Sequence, residues 1–251
     1  MLAKPDEGDP GQVVIKIYDP RYLDERFAEI PSSSHPSYPW NFSNELAAAI
    51  ARPQNSEMPE EELMDKTNSA RPKNLSGQDL ATHYLLWEEM FYRLMMECYD
   101  SELVAYERLK DFQGSVIPRF IMAGRFLPPD ERAIQPPALV LEYIPSINLH
   151  DVPSAAITPA ICAQLLSAIE SFPSYGVIHN DITPTNIHFT PPEQPVKAVV
   201  IDFGCAVIRD DDDDEGYWTA RGASDARWAR RLLKDQDLKE SLEDGQVSRF
   251  R

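Results

Sequence analysis

Apolar positions along the chain recur with two different periods, separated by polar stretches. From Gln78 to Phe112, Leu80, Tyr84, Trp87, Phe91, Leu94 and Met95 return at three- and four-residue steps, and Leu103, Tyr106 and Leu109 continue the stripe. That spacing predicts helix with one face turned to a core, and Asp100 or Ser101 can begin a second segment of it. Thr158–Phe172 repeats the pattern through Ile161, Leu165, Leu166 and Ile169, with Thr158-Pro159 as cap and first residue. Ala223–Glu243 reads as a charged helix. Short apolar runs bounded by turn formers predict strands instead: Val13–Ile17, Ala138–Tyr143, Ile187–Phe189 and Ala198–Ile201. The last two flank a Pro-rich turn and read as a β-hairpin. Residues 31–78 are rich in Pro, Ser, Asn and Glu, and only Glu45–Ala51 has a helical look there. That composition predicts an insertion or a partly disordered linker. The mixture of periods is that of an α+β protein.

Composition narrows the function classes. A chain of 251 residues with 43% hydrophobic content can bury one large core or two small ones. It contains no run near the ~20 apolar residues of a membrane span, and its first ten residues carry no apolar signal core. Cys98, Cys162 and Cys205 are too scattered for a disulfide framework or a zinc pattern. An intracellular, cytoplasmic setting is the expectation. The net charge of −17 disfavours nucleic acid and anionic membrane as partners, and the six carboxylates of Asp210–Glu215 leave −11 on the remainder. A phosphate-bearing ligand would need a local cation.

The polar residues around the hairpin supply candidate chemistry. Asp181 and Asn186 precede the first strand, and Asp202 follows the second. Side chains at strand ends can converge, and these three form an oxygen-donor set suited to a hard cation such as Mg²⁺ shared with phosphates. Capping of turns by Asx side chains would explain Asp181 and Asn186 equally well. Lys16 interrupts an apolar strand, which costs free energy unless an anion pairs with it. An edge-strand lysine that blunts aggregation is the alternative. Glu102 and Glu107 compete as its partner; Glu102 stands on the face of Tyr106 and Leu109, and a plain surface glutamate remains open.

These residues resemble motifs of the protein-kinase-like superfamily. His179-Asn180-Asp181 with Asn186 five residues later resembles the catalytic loop H-R-D-x-x-x-x-N, and Asp202-Phe203-Gly204 resembles D-F-G. Val14–Arg21 (VIKIYDPR) is similar to a strand of short fungal kinase-like proteins, and Val13–Ile17 to the V-A-I-K strand. The resemblance implies a bilobal fold with a small β-rich N-lobe over residues 1–144 and a helical C-lobe over 145–251. It places an insertion at 31–78, a regulatory-type helix near 99–111, a catalytic loop at 179–186 and a metal motif at 202–204. It implies ATP and Mg²⁺ as cofactors, with Asp181 as catalytic base and Asn186 and Asp202 on the metal. Lys16, paired with Glu102, would hold the α/β-phosphates. The backbone of Glu142 and Ile144 would meet the adenine edge, with Leu141 behind the ring. His179 would be a structural hydrogen-bonder.

Several features depart from the family pattern. Gly8 and Gly11 do not form a glycine-rich phosphate loop, so the N-lobe reads as truncated, with Met1–Lys4 as the tail of a preceding strand. Asn180 replaces an arginine and Thr183 a lysine, and no A-P-E motif follows Gly204, so the C-lobe reads as shortened. H-N-D-x-x-x-x-N also resembles the loop of choline and aminoglycoside kinases. The expectation is an ATP- and Mg²⁺-dependent phosphotransferase acting on an unidentified hydroxyl acceptor, a protein Ser/Thr first. A pseudokinase or interaction module without turnover is one alternative. A small-molecule kinase, drawing a cationic acceptor to Asp210–Glu215, is another. Two close carboxylates, Asp181 and Asp202, would raise one pKa in the absence of metal.

Overall fold

The computed structural model describes residues 2–3, 11–26, 37–69 and 72–247. Strands β1 (Leu2–Ala3) and β2 (Val13–Ile17) come first, then helices α1 (Phe42–Asn55), α2 (Glu60–Asn68) and α3 (Gly77–Arg108). Strands β3 (Phe120–Arg125), β4 (Pro137–Glu142) and β5 (Ile147–Asn148) lead to α4 (Pro159–Ser171). The chain ends with β6 (Val177–Ile178), β7 (Ile187–Thr190), β8 (Lys197–Val200), β9 (Val207–Ile208) and α5 (Glu215–Val247). The strands form small sheets in the orders β1-β2-β4-β3, β5-β7-β8 and β6-β9. The protein is therefore α+β.

Two compact units divide the chain. The first holds residues 1–16, 100–122 and 139–251; the second holds 17–99 and 123–138. In the first unit, the β7–β8 hairpin is antiparallel, with Ile187 opposite Val200 and Thr190 opposite Lys197. Phe189, Val199 and Val200 are buried in a core with Ile117, Leu139, Leu149, Leu165, Phe172 and Phe203. Helix α4 starts at Thr158, whose side chain accepts from Ile161 N at 3.3 Å, as the Thr-Pro pair predicts. α4 packs on β8 and α5. Helix α5 turns Trp218, Asp225, Ala226, Ala229 and Leu233 inward. It begins eight residues before the expected Ala223, at the end of the acidic run, where carboxylates favour a helix N-terminus.

The second unit corrects the reading of residues 31–78. Instead of one short helix, α1 and α2 lie there, while the Pro/Ser-rich stretch 31–36 falls outside the described residues. Asn41 caps α1 by accepting from Asn44 N at 2.9 Å. Glu45 is buried on Arg132 and on Trp40 Nε1. Asp19 accepts both Nη atoms of Arg132, at 2.8 and 3.0 Å, and Nε of Arg21 at 2.9 Å. Fully buried Arg26 forms a fork to Glu88 at 2.9 and 2.6 Å and lies 4.2 Å over the Phe91 ring. Tyr38, Ala48, Leu63 and Phe91 make the apolar core around these pairs. Charged partners far apart in sequence hold α1, which a local composition count cannot register.

Other expectations differ in detail. α3 is one helix of 32 residues with no restart at Asp100 or Ser101, because the apolar stripe carries through that point. Val116 is buried in a turn, buried Ile117 pairs with Gln113 in an isolated bridge, and strand β3 begins at Phe120. Leu2 and Ala3 pair with Val14 and Val13, as a strand tail should. Gly8 and the turn around it lie outside the described residues.

Candidate phosphate and metal site

All of the sequence-predicted site residues fall in the first unit. β2 carries Lys16 out of its strand to two carboxylates. One is Glu102 on α3, buried and in direct contact with the ammonium; the other is Asp202, whose Oδ1 lies 2.5 Å from Nζ. Burial pushes the Lys16 pKa down, but the charges of Glu102 and Asp202 outweigh it and hold the ammonium above its ordinary value. Burial likewise pushes the Asp202 carboxyl up, and Lys16 more than reverses this, so it lies below the usual range. The expected rise from two repelling carboxylates does not occur at Asp202, because the lysine charge stands beside it. Glu102, rather than Glu107, is the partner of Lys16.

The hairpin brings the other oxygen donors to the same end. Ile201 N donates to Asn186 O at 3.0 Å, which sets Asn186 and Asp202 on neighbouring backbones. Asn186 Nδ2 donates to the Asp181 carbonyl at 3.0 Å and to Asp181 Oδ2 at 2.8 Å. The donors of the Asn186 amide are thereby spent on Asp181, which turns its oxygen elsewhere. Among the described residues no three His, Cys, Asp or Glu side chains cluster as a metal cage. The donor set nevertheless fits Mg²⁺, which takes one or two carboxylates from a protein and fills its remaining positions with phosphates and water.

His179 and Asp225 hold the loop. Asp181 N donates to His179 Nδ1 at 3.3 Å, so Nε2 carries the proton and donates to Ile201 O at 2.9 Å. Burial lowers the His179 pKa, in keeping with this neutral ring. Asp225 Oδ2 accepts from His179 N at 2.8 Å and from Asn180 N at 3.2 Å, while burial raises its carboxyl. Asn180 and Asp202 both adopt left-handed backbone, with φ of 61° and 67°. Phe203 is fully buried, its ring 4.6 Å from His179 and 5.7 Å from Tyr106. Sequence reasoning gave Asp225 no role. Its signal was an acidic residue two turns beyond Trp218 on the inward face of a helix.

Glu142 and Ile144 stand apart from this cluster of contacts. Glu142 closes β4; its N donates to Arg119 O at 2.9 Å and its Oε2 accepts from Arg119 N at 3.0 Å. The Ile144 carbonyl accepts from Ser146 Oγ at 3.0 Å.

No protein-family model matches the chain. The serine/threonine-protein kinase pkn3 of Myxococcus xanthus is 34% identical over 91 residues, which are 34% of this chain and 17% of that protein. The likeness is to a kinase. Two solved structures of WbdD, one of them described as that of a bifunctional kinase-methyltransferase, align over 49% of this chain. They cover 26% and 25% of the WbdD chain at 21% and 23% identity, with TM-scores of 0.34 and 0.33. The kinase relative thus supports the kinase-like superfamily resemblance, over a chain that spans 17% of its length. Among the described residues no helix is long and apolar enough to cross a membrane.

Proposed function

We propose that the protein is an ATP- and Mg²⁺-dependent phosphotransferase of the protein-kinase-like kind, moving the γ-phosphate to a hydroxyl, with protein Ser/Thr as the first acceptor class. The observation that carries this reading is the Lys16 ammonium held between Glu102 and Asp202. Three residues 86 and 186 positions apart in sequence meet at one cation, as the motifs require. In an acidic chain, that cation is what an anionic ligand needs.

Phosphoryl transfer asks the protein mainly for alignment and charge neutralisation. Lys16 binds the α/β-phosphates, and Glu102 keeps its side chain extended toward them. Asp181, oriented by Asn186 through both its carbonyl and its carboxylate, accepts or orients the proton of the acceptor hydroxyl. Asp202 and the Asn186 oxygen would hold the metal, which would supply charge neutralisation to the phosphates. The Glu142 amide is taken by Arg119, so pairing with a purine edge at that residue falls to its carbonyl. The two-lobed division at residue 144 belongs to this reading.

Thermal shift with Mg-ADP and Mg-ATP tests the binding half: both should raise the melting temperature, and neither should do so without Mg²⁺. A single-turnover assay with labelled ATP tests the chemistry. Equal rates for the wild type and Asp181→Ala would replace the enzyme with a nucleotide-binding scaffold.

A further inference from the structure

Arg108 ends α3, six residues after Glu102, and the proposed chemistry gives it no part. An arginine in the last turn of a helix ordinarily serves the carbonyls of its own helix. This one reaches elsewhere in the first unit. A single nitrogen, Nη1, donates to Gly176 O at 2.9 Å and to Arg209 O at 3.0 Å. Gly176 immediately precedes β6, and Arg209 immediately follows β9. These strands pair antiparallel, Val177 opposite Ile208, and Arg209 N donates to Gly176 O at 3.0 Å. Arg108 therefore binds both strands at one end of their ladder.

Gly176 is suited to that contact. Its φ of 74° is left-handed, which glycine adopts freely and asparagine at little cost. A Cβ there would stand 2.5 Å from Arg108 Nη1, so a side chain at 176 would displace the guanidinium. Backbone conformation alone leaves asparagine open at this position; the arginine closes it.

The joined segments are the ones that carry the site. β6 runs into His179-Asn180-Asp181, β9 follows Asp202-Phe203-Gly204, and α3 carries Glu102. Lys16 touches Glu102 and Asp202 together, so the helix must keep one register against the segment that follows the hairpin. Apolar contact between them, such as Tyr106 on Phe203 at 5.7 Å, is non-directional and tolerates sliding. A guanidinium nitrogen donating to two carbonyls has direction and length.

We propose that Arg108 is a positioning residue for the proposed phosphoryl transfer. It fixes the end of α3 to the strand that enters the Asp181 loop and to the strand that leaves the Asp202 motif. Glu102, and Lys16 with it, is thereby held in register with both carboxylates. The assignment rests on the nucleotide-site reading and deepens it.

Calorimetric titration with Mg-ADP, read beside the melting temperature, tests it. Arg108→Met should bind Mg-ADP about tenfold more weakly, the worth of one hydrogen bond from a charged donor. Its melting temperature should fall little, because the tie lies at the surface. Arg108→Lys keeps the charge and should recover part of the affinity. In a Glu102→Gln background, Arg108→Met should weaken binding no further, since it acts through Glu102. Gly176→Asn gives the same test should Arg108→Met fail to fold: it suits the left-handed backbone, displaces the guanidinium, and should weaken Mg-ADP binding likewise. Wild-type affinity in Arg108→Met, or in Gly176→Asn where that variant stands in, would overturn the proposal. So would an undiminished tenfold loss in the Glu102→Gln background, which would make the tie structural only. A wild type that does not bind Mg-ADP would instead remove the nucleotide site itself, and the inference with it.

Discussion

The two units place their buried charges in opposite ways. In the second unit, Arg26 and Glu88, Arg132 with Asp19 and Glu45, and Arg52 and Arg93 with Glu89 satisfy one another. Each group there is consumed by its partners, and the arrangement holds helices. In the first unit, Lys16 is shared by two carboxylates and Asp202 is half exposed. Saturated charge networks are structural, whereas a cluster with more acceptors than donors is poised for a ligand. Counting buried charges would not separate the two; the exposure of Asp202 does.

Substitutions can break that contrast. The largest effect is expected at Asp181, where removing a proton acceptor should lower the transfer rate by about 10²–10⁴-fold with little change in melting temperature. A rate within threefold of wild type in a single-turnover assay would dissolve the distinction. Next is Arg26→Met, which strands Glu88 in the core and should cost about 3–5 kcal/mol in urea denaturation, with Mg-ADP affinity of the folded protein unchanged. Adding Glu88→Leu should recover most of that loss, because an apolar pair of similar volume replaces the ions. No recovery would mean that the pair does more than satisfy itself.

A narrower effect is expected from Asp202→Asn. It should abolish the Mg²⁺-dependent part of the ADP thermal shift and leave ligand-free stability nearly as it was. A variant that loses stability yet keeps metal-dependent binding would make Asp202 a turn residue only. The smallest effect is on pH dependence. Burial lowers the pKa of His83 in the second unit and of His179 in the first, below the ordinary 6.5. In the fold these rings stay neutral while the unfolded chain takes up protons, so stability is full above about 6.5 and falls as pH drops below it. Asp202, whose pKa is lowered, adds its own loss only at more acid pH, below the ordinary 3.8. Denaturation midpoints should hold from pH 7.5 to about 6.5 and decline from there to pH 5; a flat profile would show that both rings charge in place.

Local signals carried the first unit well. The hairpin, its flanking Asp181, Asn186 and Asp202, the α4 cap and the Lys16 strand all depend on residues a few positions apart, and each was legible. Choosing Glu102 over Glu107 needed only helical phase. What escaped depends on long separations: Arg132 is 87 residues from Glu45, and Arg26 is 62 from Glu88. A stretch stabilised by such pairs reads as polar and loose until its partners are known. Asp225 was missed for the same reason, since its two acceptor bonds reach 46 and 45 residues back to the loop.

The left-handed backbone at Asn180 and Asp202 limits what these positions can become. Glycine, asparagine and aspartate reach that conformation at little cost, while other L-residues pay about 1–2 kcal/mol. Geometry therefore restricts the usable alphabet at two positions beside the site before any chemistry is asked of them. For mutational scanning this means that an alanine at either position reports strain and lost function together. Exchanges within the asparagine, aspartate and glycine set separate the two.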